Sequence, residues 1–152
     1  MIRPVDNNIA YGFGYNEPYP PALEHLTLDG KHHGRDILSP VGSVLYSPVD
    51  AVLNEYGIVT APPVSYYGLY IIAKFWKLEG LRKSQYRYIC MHLSRTLLKR
   101  VQVGEWIKAN QVIGLTGDSG TAQGHPHLHF EVQKLVNNKW AHVDPSFLIG
   151  KV

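Results

Sequence analysis

The chain has 152 residues, 45% of them hydrophobic and 18% charged, with a formal net charge of +3. That length fits one domain able to bury a sizeable core, and the hydrophobic share excludes a disordered polymer. The mild positive charge suits an anionic target but falls short of the dense basic stripe of nucleic-acid binders. The nearest patch, Arg82, Lys83, Arg87, Arg95, Lys99 and Arg100, reads as a solvated face.

Ten prolines and fourteen glycines punctuate the sequence, favouring short strands over long helices. In chain order, the first ~30 residues carry Gly12, Gly14, Pro18, Pro20 and Pro21 and read as a loop-rich arm. Val41 to Val59 alternates in places, with turns at Pro40-Val41-Gly42 and Ser47-Pro48. Leu69 to Trp76 and Tyr86 to His92 read as two strands joined by a polar hairpin connection over Leu78 to Ser84. Ser94 to Arg100 is expected to form one short turn of helix. Val101 to Gly104, Val112 to Leu115 and Leu128 to Val132 complete the predicted strands. The sum is a single all-β domain over 1–152, mostly antiparallel, with the arm at 1–30 and a β core at 31–150.

The single cysteine, Cys90, excludes an internal disulfide, and its apolar setting, Tyr88-Ile89-Cys90-Met91, marks a buried structural thiol. No segment reaches the ~18 apolar residues of a membrane span. Met1 to Asp6 does not read as a secretory leader, so an extracellular target would require a trimmed leader, a larger parent protein, or a phage lysis or virion route.

Eight histidines are a high count, and their spacing is informative. On a straight strand His32 and Asp36 would share a face yet sit about 13 Å apart, too far to share one metal ion. Gly34, midway, would let the backbone bend and bring them together. Taken alone, the cluster also fits a polar turn with an exposed histidine, and His33 competes with His32 as the first ligand. The i, i+4 spacing to Asp36 and the central Gly34 favour His32. Further on, His127 and His129 stand at i, i+2, so both project from one face of a strand while Leu128 and Phe130 point to the other. His92 ends an apolar strand and by itself is as easily a core or surface histidine. Together these clusters offer two histidines and a carboxylate as ligands, with spare histidines beside them. That is a usual composition for a catalytic zinc site, and the absence of thiolates also suits zinc.

These residues match a family. H-x-G-x-D at His32 to Asp36, H-L-S at His92 to Ser94, G-x-T-G-x-S-G at Gly114 to Gly120 and H-L-H-F-E at His127 to Glu131 resemble the lysostaphin/LytM-type zinc endopeptidases in order and rough spacing. The resemblance runs from Gly12-Phe13-Gly14 to Val143-Asp144-Pro145. It implies a β-sandwich core with a substrate groove and long loops. It also implies one zinc ion held by His32, Asp36 and His129, with His92 and His127 as the pair acting on an attacking water. The implied substrate is the peptide moiety of bacterial peptidoglycan. No nucleic acid is implied, the expected form is a monomer, and the place of action is the cell wall. Two positions depart from the family pattern. Cys90 stands where a tyrosine is common, two before His92, and His125-Pro126 replaces a more usual Gly-Pro.

Three other readings compete. Gly117-Asp118-Ser119-Gly120 resembles a serine-protease nucleophile motif, but Thr121 stands where a second glycine is expected and no histidine segment matches. A catalytically inactive wall-binding or hydrolase-activating module would be expected to lack some of the five site residues, all of which are present. Val103 to Gly114 looks like half of a lipoyl-carrier barrel, without a lysine at a hairpin tip. Tyr15, Tyr19, Tyr66 and Tyr67 could line a groove or simply pack, and His25 and His142 read as surface residues or supports for a ligand.

Overall fold

Alternation of apolar and polar side chains lays out the central strands of the computed structural model, which describes residues 3–7, 9–59 and 67–151. In β4 (Gly68–Glu79) and β5 (Arg82–Thr96), Ile71, Ala73, Phe75, Tyr86, Tyr88 and Cys90 are all buried. Successive residues face opposite sides of a strand, so these fall on one side and drive it against other apolar surface. The two strands pair in an unbroken register from Ile71↔Cys90 to Glu79↔Arg82. The connection is therefore only Gly80-Leu81, shorter than the expected Leu78 to Ser84. Bonds to Glu79 from Ser84, Tyr86 and Lys134 hold the end of the hairpin together.

β8 (His127–Val136) pairs with the other edge of β5, from Tyr86↔Lys134 to Met91↔His129. On its far edge β8 carries first β1 (Arg35–Leu38), then β9 (Lys139–Val143). Beyond β4 lie β3 (Ala51–Val59) and β6 (Trp106–Ile107), giving the order β1-β8-β5-β4-β3-β6, antiparallel throughout. Among the described residues the only α-helix is α1 (Ser146–Ile149). The all-β, mainly antiparallel expectation holds, and the arm contributes one short 3-10 turn at Glu24–Leu26.

At His92 the backbone adopts φ 63°, a left-handed conformation that costs a non-glycine residue on the order of 1 kcal/mol or more. There β5 leaves β8 and takes up β7 (Val112–Thr116), which pairs in turn with β2 (Val44–Tyr46). Leu45 and Ile113 from these two strands join Ile71, Ala73 and Tyr88 in the main core.

Three expectations are corrected. Ser94 to Arg100 forms no helical turn: Ser94 to Thr96 end β5, drawn into the sheet by the pairs Arg95↔Leu115 and Thr96↔Gly114. Val101 to Gly104 is a turn with Gly104 at φ 94°, and the strand begins afterwards at Trp106. β9 went unpredicted, although Asn137 and Asn138, at φ 50° and 62°, make the type of two-residue turn that favours a hairpin. Tyr66 lies outside the described residues.

Candidate metal centre and active site

The pairing of β1 with β8 sets Asp36 directly opposite His129. His32 precedes β1, and the chain bends at Gly34 before the strand starts. The need for glycine there is one of space, not dihedral freedom. A Cβ on Gly34 would lie 2.6 Å from the Phe130 carbonyl oxygen and 3.0 Å from His129 Nε2. Close approach to β8 brings His32 Nε2, Asp36 Oδ1 and His129 Nδ1 together. The distances are 3.1 Å between the two nitrogens, 3.1 Å from His32 to Asp36 and 2.7 Å from His129 to Asp36. All three residues are buried.

The opposite ring atoms are pinned by oxygens. His32 Nδ1 lies 3.1 Å from the Gly14 carbonyl, and His129 Nε2 lies 2.9 Å from Glu131 Oε1. A carbonyl or carboxylate oxygen only accepts, so each of these nitrogens carries the proton and donates. A neutral imidazole then keeps its lone pair on the inward nitrogen. Two such lone pairs and a carboxylate oxygen crowded within about 3 Å repel one another unless a cation lies among them. An ion with bonds of about 2.0–2.1 Å spaces tetrahedral ligands by roughly 3.3 Å, so this donor set fits a divalent metal. Without one, a proton serves. Burial alone would lower the His129 pKa, but Asp36 and Glu131 on either side raise it well above its usual value. Burial would raise Asp36, yet His129 and His32 hold it below the usual carboxylate range. Metal and proton therefore compete for the same seat.

His92 and His127 stand beside this cluster, their ring centroids 4.8 Å apart. Each has its Nδ1 2.8 Å from a carbonyl oxygen, of Ser119 and His125 respectively, which fixes that nitrogen as a donor. The remaining Nε2 of each neutral ring is unprotonated, and His127 Nε2 lies 3.6 Å from Asp36 Oδ1. Burial, reinforced by the neighbouring imidazoles, pushes His92 down to about 3; burial also lowers His127. Both are neutral proton acceptors at neutral pH.

These five side chains share one cavity of about 630 Å³, whose other wall comes from Tyr11, Phe13, Tyr19 and Leu26 of the arm. Tyr11 stacks on His127 with centroids 4.9 Å apart. The arm is tied down by backbone bonds on both sides of His32, from Asn16 N to His32 O and from His32 N to Glu17 O.

Other candidates fall elsewhere. His33 lines the same cavity but is engaged outside the cluster, 2.7 Å from Asp29 and stacked on His142. The Ser119 hydroxyl is occupied as a scaffold, donating to Leu93 O and accepting from Leu69 N, while His92 addresses the Ser119 carbonyl. No nucleophile–base pair exists there, which removes the serine-protease reading. Cys90 is fully buried on the core side of β5 and its thiol is raised by burial. Tyr15 donates to the His142 carbonyl, and Tyr67 packs against Tyr70. Residue spacing assigns Glu131 no role, although alternation along β8 puts it on the same face as His127 and His129. It supports His129 and is itself braced by Gln133 at 3.3 Å and His142 at 3.5 Å.

Known proteins share this arrangement of sequence and fold. The chain is 35% identical to the glycyl-glycine endopeptidase ALE-1 of Staphylococcus capitis over 132 residues, 87% of this chain and 31% of that protein. It is 31% identical to the peptidoglycan DD-endopeptidase ShyA of Vibrio cholerae over 101 residues, 66% of this chain and 20% of that one. The chain thus spans less than a third of the length of these curated relatives. The catalytic domain of lysostaphin from Staphylococcus simulans superposes with a TM-score of 0.64 at 30% identity, covering 90% of both chains. The sequence profile of peptidase family M23 matches residues 30–145, and the chain belongs to that family.

Proposed function

We propose that the protein is a zinc endopeptidase that hydrolyses peptide cross-links or stem peptides of bacterial peptidoglycan, acting at the cell wall. The single observation that carries the reading is the pairing of two kinds of imidazole in one cavity. His32 and His129 turn lone pairs on Asp36, whereas His92 and His127 keep theirs beside that cluster. The endopeptidase activities of ALE-1 and ShyA support the substrate class.

His32 through Nε2, Asp36 through Oδ1 and His129 through Nδ1 would hold one zinc ion, a composition usual for catalytic sites. Bound there, zinc supplies Lewis-acid polarisation of the scissile carbonyl and makes a nearby water more acidic. The protein's own part is proton traffic and positioning. One of the two free Nε2 atoms, on His92 or His127, takes the proton of the attacking water as its oxygen adds to the carbonyl carbon. Neither ring can donate from Nε2 until it has gained that proton. The protonated ring then delivers it to the nitrogen as the C–N bond breaks, and the amine leaves. The Ser119 and His125 carbonyls keep both rings in the required tautomer throughout. Tyr11, flat against His127, limits its rotation.

The test is mass spectrometry of fragments released from purified peptidoglycans, glycine-bridged and directly cross-linked, by zinc-loaded protein with and without chelator. New peptide termini that disappear with chelator are expected; intact walls in the presence of bound zinc would overturn the reading. His127→Ala should keep most of the zinc and lose turnover by a factor of about 10² or more. An emptied site in that variant would instead make His127 a ligand.

A further inference from the structure

The face of the sheet that carries the site does not end at the site. His129, Met91 and the residues at even steps along β5 and β4 share it, and the register extends it across the molecule in one row: Gln133↔Arg87↔Lys74↔Val52↔Trp106. Two residues on from Lys74, Trp76 projects from the same face. Trp140, paired with Leu135, also lies on it, so all three tryptophans of the chain stand on this one face. None is needed by the core on the other side.

Trp106 is 62% exposed and Trp76 38% exposed, with ring centroids 6.0 Å apart and planes inclined at 50°. A flat ligand sandwiched between two rings needs about 7–8 Å, twice an ordinary carbon contact, so a ligand must lie across this pair rather than between them. The surrounding charge is mostly positive. Lys74, Lys83 and Arg87 project from this face, and among the described residues none is ion-paired. Arg87 is held by Gln133 at 2.7 Å and lies over Trp140, 4.3 Å from the ring centroid. Glu55, the carboxylate that β3 adds to this face, is engaged by the Tyr70 hydroxyl. Exposed aromatic rings beside cations that no carboxylate neutralises suit a partner that is both apolar-faced and anionic.

We propose that this aromatic and basic strip is a second binding site, for peptide-free stretches of the glycan strand of peptidoglycan, whose lactyl groups are free carboxylates. This rests on the cell-wall reading above and adds to it a hold on the polymer separate from the cavity. Sugar rings present apolar C–H faces to Trp76 and Trp106, and the lactyl carboxylates of units that carry no peptide meet Lys74 and Arg87. In peptide-bearing units the same carboxyl is tied up as an amide. Six residues of β5 separate the row of Met91 from that of Gln85, opposite Trp76, or about 20 Å at ~3.3 Å per residue. A strand anchored at the tryptophans by a peptide-free stretch is therefore placed to bring the peptides of neighbouring units towards the cavity without blocking it.

The experiment uses peptide-free glycan strands, prepared by amidase stripping, which contain no bond for the cavity to cut. Titrated into the zinc-loaded protein, they should shift the indole N–H signals of Trp76 and Trp106 saturably, and added salt should weaken the binding. Trp76→Ala/Trp106→Ala should weaken it at least tenfold and raise the apparent KM on intact walls. On a short soluble cross-linked peptide kcat/KM should not change. Trp106→Ala alone, at the more exposed position, and Lys74→Gln guard against a misfolded double variant, and each should weaken binding on its own. Unmoved indole signals, or strand binding unaffected by these substitutions, would overturn the proposal. So would sedimentation showing that these rings are buried between two copies of the chain. Strand binding without peptide cleavage would sink the hydrolase reading and leave this one standing; cleavage without strand binding would do the reverse.

Discussion

Glu131 shows how much a single buried carboxylate can decide. It accepts a hydrogen bond from His129 Nε2, fixes which nitrogen faces Asp36, and is held from behind by Gln133 and His142. Glu131→Gln should leave the fold intact and weaken metal binding roughly 10- to 100-fold, read by competition with a chelator of known affinity. Unchanged affinity would show that the ring is oriented by packing alone. Gly34 matters for the opposite reason, because it has no side chain. Gly34→Ala puts a Cβ 2.6 Å from the Phe130 carbonyl, so β1 and β8 must part or the site must shift. Loss of about 1–3 kcal/mol in denaturant unfolding is expected, together with weaker metal uptake. His32, Asp36, His92, His127 and His129 could all be named from spacing and family pattern. Glu131 could be placed on their face by alternation, but its role could not, because that depends on which nitrogen of His129 is left over.

At the level of elements, the β4–β5 hairpin is longer than its polar sequence suggests, since cross-strand bonds replace hydrophobic contact at its end. Glu79 is central there. Hydrogen bonds from Lys134 first, then from Tyr86, bring its pKa down from 4.5 to about 2. A carboxylate depressed in the folded state contributes stability above its unfolded value, and this is lost as pH falls from about 4.5 towards 2. An NMR titration should show Glu79 protonating near 2, and in Lys134→Met it should move back towards 4.5. A midpoint already near 4.5 in the parent protein would mean the ion pair does not persist in solution. The bend of β5 at His92 has no local signal, since neither glycine nor proline marks it. It follows from β5 serving β8 over one half and β7 over the other. Ser94 to Thr96 are extended rather than helical for the same reason: β7 imposes their strand character.

For the whole molecule, the cluster of His32, Asp36 and His129 fastens three separate segments: the arm through Gly14, β1 through Asp36 and β8 through His129. Zinc at a hundredfold excess over its Kd should therefore add about 2.7 kcal/mol to unfolding, or roughly 5–10 °C in Tm for a domain of this size. Calorimetry with and without chelator measures the shift, and Asp36→Asn should abolish it. A full shift persisting in Asp36→Asn would place the stabilising metal at another site.

The all-β class, the apolar strands and the spacing that pairs His127 with His129 follow from the sequence alone. Alternation and residue type dictate them locally, whatever the rest of the chain does. The tertiary structure decided what no local rule contains. Only the register of β1 against β8 brings Asp36 opposite His129, some 93 residues away in the chain. Only the carbonyls and carboxylate supplied by distant segments fix the tautomer of each imidazole. Only the pairing of strands from β9 across to β6 gathers Trp76, Trp106 and Trp140 on the face of the site. Hydrogen-bond register between strands is set by the packing of the whole sheet, so long-range coincidences of this kind become visible only in the folded molecule.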